Sequence, residues 1–145
     1  MAAGDTPPST SANSARLVWL PAGKRGQAAL GRDLLELARE HRVDLDSVCG
    51  GRGLCGRCQV DIQAGDFAKF QLRSAAGHVS PPSDAERRFA ARHDWSPERR
   101  LACQARLIGD VVIDVPASSQ IHKQVIVKAL NAGALTVDPL LRLYF

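Results

Sequence analysis

Four cysteines are the residues of this sequence best suited to chemistry, because four thiolates can hold a zinc ion or an iron–sulfur cluster. They are Cys49, Cys55, Cys58 and Cys103, a C-x5-C-x2-C loop followed by a distant fourth cysteine. A tetrahedral zinc site usually draws its ligands from two separated close pairs. Three ligands in one loop and a lone fourth are typical of a [2Fe–2S] cluster. The spacing therefore predicts such a cluster, with a zinc-binding interaction module as the alternative.

The residues between the first and third cysteines suit a loop wound around a cluster. Glycine allows positive φ angles and close backbone approach, so backbone N–H groups can point at the sulfurs. Nearby cations stabilise the negative charge gained on reduction and raise the reduction potential. We therefore predict a cluster environment made of Gly50, Gly51, Gly53, Gly56, Arg52 and Arg57.

The segment before this loop predicts two strands and a helix. An apolar run at 16–20, a turn at 21–26 and a second run at 27–30 indicate a β-hairpin. Apolar residues then recur at three- and four-residue steps, which predicts a helix over about residues 31–41. Its acidic first turn and basic last turn agree with the helix dipole.

The segment after the loop predicts shorter elements. Residues 59–62 alternate as in a strand, and Ser83-Asp84-Ala85-Glu86 forms a capping box before a short helix. Apolar runs at 101–107 and 111–115, separated by Gly109-Asp110, predict a second hairpin. Arg99 and Arg100, just before the fourth cysteine, are candidates for a docking patch.

Composition divides the chain into three parts. Residues 1–15 are mostly small and polar, and we expect a disordered tail there. Residues 16–116 form the predicted cluster domain, and Pro116 marks a boundary. Residues 117–145 are expected to be a linker or the start of a following domain, because the chain stops within an apolar run.

Composition also narrows the class of protein. The chain has 145 residues and is 45% hydrophobic, enough for a core without disulfides. It contains neither an apolar run long enough to cross a bilayer nor a secretory signal, which predicts a cytoplasmic protein without a membrane span. The net charge of +4 is scattered and aromatics are scarce, so nucleic-acid binding is not expected.

The hairpin, helix, cysteine loop and returning strand together resemble the [2Fe–2S] ferredoxin family over about residues 16–116. The C-x5-C-x2-C spacing is similar to that of the adrenodoxin and putidaredoxin group. The resemblance implies an α+β, β-grasp fold, a mixed sheet packed on one main helix. It also implies that Cys49 and Cys55 hold an outer iron and that Cys58 and Cys103 hold an inner one. Electrons would then enter and leave on the exposed side of the loop.

A closer resemblance is to the front domain of the reductive activators of corrinoid proteins. The matching strings are DLDSVCGGRGLCGRC at 44–58, SPPSDAE at 80–86, RLACQA at 100–105 and VDPLLRLY at 137–144. In that family a ferredoxin domain precedes an actin-like ATPase domain, and single electrons return a cobalt(II) corrinoid protein to cobalt(I) with ATP. The ATPase domain is absent from these residues.

The resemblance thus implies one-electron transfer to redox protein partners, including a corrinoid protein, with no substrate chemistry in this stretch of chain. A stand-alone ferredoxin serving an oxygenase or reductase is the alternative. The basic loop residues Arg52 and Arg57 predict an acidic docking face on the partner.

Overall fold

The computed structural model describes residues 13–121. Within that range the chain forms a larger and a smaller sheet, two helices and short 3₁₀ turns. In chain order the strands and helices are β1 (Ser14–Leu20), β2 (Lys24–Ala29), α1 (Leu34–Glu40), β3 (Gln59–Gln63), β4 (Gly65–Phe67), β5 (Leu72–Ser74), α2 (Asp84–Ala90), β6 (Arg99–Leu101) and β7 (Val111–Asp114).

The larger sheet is mixed, with strand order β2-β1-β7-β3-β6. β1 runs antiparallel to β2 and parallel to β7, while β3 runs antiparallel to both of its neighbours. The apolar stripe of α1, from Leu34 to Ala38, is buried against this sheet. The predicted α+β, β-grasp architecture is confirmed.

The two faces of the sheet carry separate cores, because successive strand residues point to opposite sides. Leu17 and Trp19 of β1 belong to the main core with α1, and so do the cysteines Cys58 and Cys103. Val18, between them, belongs to a smaller core that lies under the β4–β5 hairpin. The cysteines therefore lie on the helix face of the sheet.

The N-terminal elements agree with the sequence except at their ends. β1 begins at Ser14, so the strand includes the last two residues of the predicted tail; residues 1–12 lie outside the described part. β2 begins at Lys24, within the predicted turn. Helix α1 starts only at Leu34, because Gly31 has a φ of +84° and Asp33 is in an extended conformation.

The predicted hairpin between residues 101–107 and 111–115 is wrong. β6 and β7 do not pair, since β3 lies between them. The backbone of residues 102–107 instead turns toward the start of α1, where Leu35 N donates to Ala102 O and Leu34 N donates to Ala105 O, both at 3.0 Å. The apolar run after β6 is thus a buried turn that anchors the helix.

The end of the described range packs on the domain. Ser119 is buried, and its carbonyl accepts a 2.7 Å hydrogen bond from Asp46 N. Residues 122–145, with their apolar runs, lie outside the described part, and the domain division at residue 116 stays a prediction. Across residues 13–121, no helix has both the length and the apolar character that a membrane crossing needs.

Candidate metal centre

The four cysteines come from two segments that meet on the helix face of the sheet. Cys49, Cys55 and Cys58 lie in the loop between α1 and β3, and Cys103 lies in the turn after β6. The two segments are joined by a 2.8 Å hydrogen bond from Ala102 N to Cys58 O. Because Leu35 N of α1 donates to Ala102 O, the helix fixes this junction from the other side.

The thiols form two pairs. Cys49 and Cys55 are hydrogen-bonded through their side chains, and so are Cys58 and Cys103. Across residues 13–121, no three His, Cys, Asp or Glu side chains converge on the position of one metal ion. Two pairs of thiols fit a centre with two irons better than a single tetrahedral ion, which needs all its ligands around one point.

Hydrogen bonding favours thiolate sulfur in each pair. The pKa of Cys49 is lowered to about 6, because the backbone N–H groups of Cys55 and Leu54 donate to its sulfur. The pKa of Cys103 is lowered to about 7, chiefly because the Cys58 thiol donates to it. The same hydrogen bond, together with burial, raises the pKa of Cys58. Each pair thus has one sulfur stabilised as the thiolate that a metal requires.

The pairs also differ in exposure. Cys58 and Cys103 are buried in the main core, whereas Cys49 and Cys55 are half-buried at its edge. Nearby, the hydroxyl oxygen of Ser47 is buried without a hydrogen-bond partner among the described residues. Such an atom fits a site whose occupant carries acceptor sulfurs. The donor set and its surroundings therefore fit a [2Fe–2S] cluster.

All four glycines predicted around the cluster have positive φ angles, between +62° and +91°. Two of them are also needed for close packing. A Cβ on Gly56 would lie 2.1 Å from the ring of Phe89, and one on Gly53 would lie 3.0 Å from the side-chain nitrogen of Gln104. The loop thus uses glycine for its own winding and for contact with α2.

We expect Gly56→Ala to destabilise the domain more than Gly50→Ala does. Both residues have similar positive φ, +62° and +66°, so both variants incur a backbone penalty of about 1 kcal/mol. Only at Gly56 does the new methyl group meet Phe89, which adds about 1–3 kcal/mol, since a Cβ at Gly50 has open space. Thermal unfolding midpoints measure the difference, and equal midpoints would show that the Phe89 contact does not matter.

The two loop arginines have different surroundings. The Nε of Arg52 donates to the carbonyl of Cys49 at 3.0 Å, which ties its side chain to the loop. Arg57 forms a 3.6 Å ion pair with Asp46. Both are exposed, but the charge of Arg57 is partly neutralised inside the protein.

The prediction that Arg99 and Arg100 form a docking patch is wrong. Arg99 makes a two-pronged ion pair with Asp61 of β3, at 2.9 and 3.1 Å. Arg100 is buried and paired with Glu86 of α2 at 2.9 Å. Adjacent residues of a strand point to opposite faces, so both guanidinium groups are engaged within the fold.

Sequence reasoning also missed contacts made by Gln104 and Phe89. The amide nitrogen of Gln104 lies 3.8 Å from the Cys103 sulfur and 3.4 Å from Gly51 O. Phe89 packs on the loop at Gly56 and makes an edge contact with Trp95 at 4.9 Å. The capping box, which the structure confirms at Ser83 and Glu86, was the sequence signal that located the helix carrying Phe89.

A β-grasp domain with two thiol pairs at the edge of its core has the architecture of an iron–sulfur electron-transfer domain. The model of the 2Fe-2S iron-sulfur cluster binding domain family matches residues 20–107, more than half of the chain. The chain therefore belongs to that family. It carries a [2Fe–2S] cluster and transfers electrons as a ferredoxin-type domain.

Curated relatives include a ferredoxin of similar size and longer proteins. The chain is 31% identical over 86 residues to 2Fe-2S ferredoxin-5 of Aquifex aeolicus, covering 57% of this chain and 79% of that one. It is 27% identical over 92 residues to Chlorosome protein I of Chlorobaculum tepidum, covering 63% of this chain and 34% of that one. It is 30% identical over 95 residues to a component of the Na(+)-translocating NADH-quinone reductase of Yersinia enterocolitica, covering 66% and 20%. The chain thus spans about a third of the second relative and a fifth of the third.

Solved structures share the fold. An ISC-like [2Fe-2S] ferredoxin from Pseudomonas putida JCM 20004 superposes with a TM-score of 0.57 at 22% identity, covering 74% of this chain and 97% of that one. A reductive activator for corrinoid,iron-sulfur protein superposes with a TM-score of 0.51 at 24% identity, covering 74% and 15%. At these identities the likeness shows the fold.

Proposed function

We propose that Cys49 and Cys55 hold one iron of the cluster and that Cys58 and Cys103 hold the other. The observation that carries this proposal is the division of the thiols into an edge pair and a buried pair. Around them, the proposed environment of the cluster consists of Gly50, Gly51, Gly53, Gly56, Arg52 and Arg57.

When bound, the cluster supplies a one-electron redox couple. The protein prepares for it by keeping Cys49 close to the thiolate state through backbone N–H donors. The main core shields Cys58 and Cys103 from water, while the half-buried edge pair lies near solvent where a partner can approach. The Arg52 side chain, anchored on Cys49 O, places a positive charge beside the loop.

The first experiment is anaerobic purification followed by iron and sulfide analysis and absorption spectra before and after dithionite. We expect about two irons and two sulfides per chain and visible bands that bleach on reduction. A colourless protein that contains zinc and cannot be reconstituted with iron and sulfide would overturn the proposal and favour a zinc module.

We expect Gln104→Leu to make the reduction potential more negative. Its amide N–H is a donor to the Cys103 sulfur, and loss of such a donor destabilises the reduced, more negative state. One hydrogen bond of about 1 kcal/mol corresponds to roughly 40 mV for one electron. Redox titration followed by absorbance measures the shift.

Gln59→Leu is the matched control for this change. Gln59 donates to Gly56 O at 2.8 Å, so it also braces the cysteine loop, but it has no sulfur contact in the described structure. An equal shift in both variants would mean that loop support, and not the donor to sulfur, sets the potential.

The proposed physiological role is that of the ferredoxin domain of an ATP-dependent reductive activator of a corrinoid protein. This role is supported by the strings at 44–58, 80–86, 100–105 and 137–144. The second candidate is a stand-alone ferredoxin serving an oxygenase or reductase, favoured by the match over 79% of 2Fe-2S ferredoxin-5. A cytoplasmic location stays a prediction of the sequence.

An anaerobic mixing experiment separates the two roles. The reduced protein is mixed with a cobalt(II) corrinoid protein and iodomethane, which methylates cobalt(I) as it forms and draws the reaction forward. Reoxidation of the cluster together with methylcobalt formation supports the activator role. If the cluster stays reduced but is reoxidised by an oxygenase component, the stand-alone ferredoxin is favoured instead.

A further inference from the structure

A cleft of about 400 Å³ lies between the cysteine loop and the segment of α2 and its following turn. We call it the α2 cleft. Arg52 and Leu54 line it on the loop side, and Arg88, Arg92 and His93 line it on the helix side. Positive side chains therefore face each other directly beside the proposed ligand Cys55.

The wall formed by α2 is held firmly against the loop. Phe89 fills the space that the missing side chain of Gly56 leaves open, and Ala85 lies against Gly53. The helical backbone continues past Ala90, since Arg92 N donates to Phe89 O at 3.1 Å. Arg88 and Arg92 are four residues apart, so they lie on the same side of this wall.

The cations of the α2 cleft are not neutralised within residues 13–121. Arg52, Arg88 and Arg92 make no ion pair in that range, whereas neighbouring Arg87 pairs with Asp84 at 3.3 Å. No carboxylate lines the cleft. Like charges brought together on a fixed wall repel one another, and an anionic surface would relieve that repulsion.

Exposed apolar side chains border the same region. Val48 and Leu54, which flank the loop cysteines, are each 72% exposed. A small apolar area with a charged rim is the usual form of a transient protein interface, and electron-transfer encounters have small footprints. A partner that covered this area would lie close to Cys49 and Cys55.

We propose that the α2 cleft docks a carboxylate-rich surface of the electron-transfer partner, through Arg52, Arg88 and Arg92. This inference rests on the proposed function and adds the site and the charge of the partner. It moves the docking surface from the loop alone, as the sequence predicted, to the loop and α2 together.

The test uses two forms of one protein probe that differ in charge. Native cytochrome c has a lysine-rich surface, and succinylation converts those lysines to carboxylates. Stopped-flow measurements follow oxidation of the reduced, cluster-loaded protein by each form. We expect faster oxidation by the succinylated form. Arg88→Glu and Arg92→Glu should each lower that rate about tenfold at low ionic strength and raise the rate with native cytochrome c. Added salt should remove both effects.

Lys69→Glu is the matched control, because it makes the same change in net charge elsewhere. Lys69 is exposed and lies 5.7 Å from the Phe70 ring, which packs on the smaller core across the sheet from the cysteines. A wild-type protein without preference, or a Lys69→Glu variant that changes the rate ratio as much as the α2 variants, would overturn the docking proposal. Electron transfer to both probes would leave the proposed function standing in that case. A loaded cluster that reduced neither probe would overturn both proposals.

Discussion

Replacing Cys58 by alanine is expected to abolish cluster formation, leaving less than about a tenth of the wild-type iron and sulfide. Cys58 is 1% exposed and belongs to the buried thiol pair with Cys103. Its sulfur lies where water cannot replace it as a ligand, and a two-iron cluster needs four protein ligands. Iron and sulfide analysis after anaerobic reconstitution measures the loss.

Loss of stability alone must be separated from loss of a ligand. Val60, two residues further along in β3, is also completely buried in the main core. Val60→Ala should lower the thermal unfolding midpoint, because it removes buried apolar volume, yet it should keep the full iron content. If Cys58→Ala retained about two irons, or if Val60→Ala lost them equally, Cys58 would not be assigned as a ligand.

The sequence was most informative where ligands and glycines are close together along the chain. Three cysteines in one loop, with glycine at the positions that need positive φ, restrict the local backbone strongly enough to be recognised without a structure. The capping box at Ser83 and Glu86 likewise depends on a contact three residues apart. Local hydrogen bonding and backbone conformation were therefore predictable.

Contacts between distant segments were not predictable from these patterns. The turn signal at Gly109-Asp110 predicted a hairpin, but β7 pairs in parallel with β1, where Leu17 lies opposite Val111. Nothing local in either strand identifies that partner. The position of Phe89 against Gly56 has the same character, because it depends on how α2 is tied to the sheet.

The basic residues show the same division between local and distant information. Arg99 and Arg100 are adjacent, and composition alone made them equally good candidates for docking. In the fold one pairs with Asp61 and the other is buried with Glu86. The unpaired charge lies instead on Arg88 and Arg92, which the sequence patterns did not single out. Charge in a sequence locates cations, and only the fold reveals which of them remain available.

The buried pair of Glu86 and Arg100 should make the largest electrostatic contribution to stability. The Glu86 carboxylate accepts from Arg100 Nε and Nη2 at 2.9 and 3.0 Å and from the backbone of Ser83 and Leu101 at 2.8 and 2.9 Å. Arg100 Nη1 also donates to Ser80 O at 2.7 Å. These bonds join α2 to β6, immediately before the turn that carries Cys103.

We expect Arg100→Met to cost about 3–5 kcal/mol, because it leaves the Glu86 carboxylate buried without its partner. For a domain of this size the cost corresponds to a fall of more than about 10 °C in the unfolding midpoint at a fixed scan rate. Iron release to a chelator should also quicken, since β6 positions Cys103. Circular dichroism and chelator kinetics measure the two effects.

Arg99→Met provides the comparison at the adjacent residue. Its pair with Asp61 is partly exposed, at 28% and 19%, so the same substitution should cost about 1 kcal/mol or less. The double variant Glu86→Gln/Arg100→Met should be less destabilised than the sum of its two single changes, because neither charge is then left unpaired. Additive costs, or equal losses at Arg99 and Arg100, would contradict the role of the buried pair.

The pair should also shape the acid limb of stability. Burial opposes ionisation of Glu86, but the hydrogen bonds from Arg100, Ser83 and Leu101 outweigh it and lower the pKa of this carboxyl. A lowered folded-state pKa contributes stability above the unfolded value of about 4.3, and that stability is lost as the pH falls through the folded-state pKa. The midpoint of Glu86→Gln should therefore fall less than that of the wild type below about pH 4. An equally steep fall in both proteins would assign the acid sensitivity to other carboxylates.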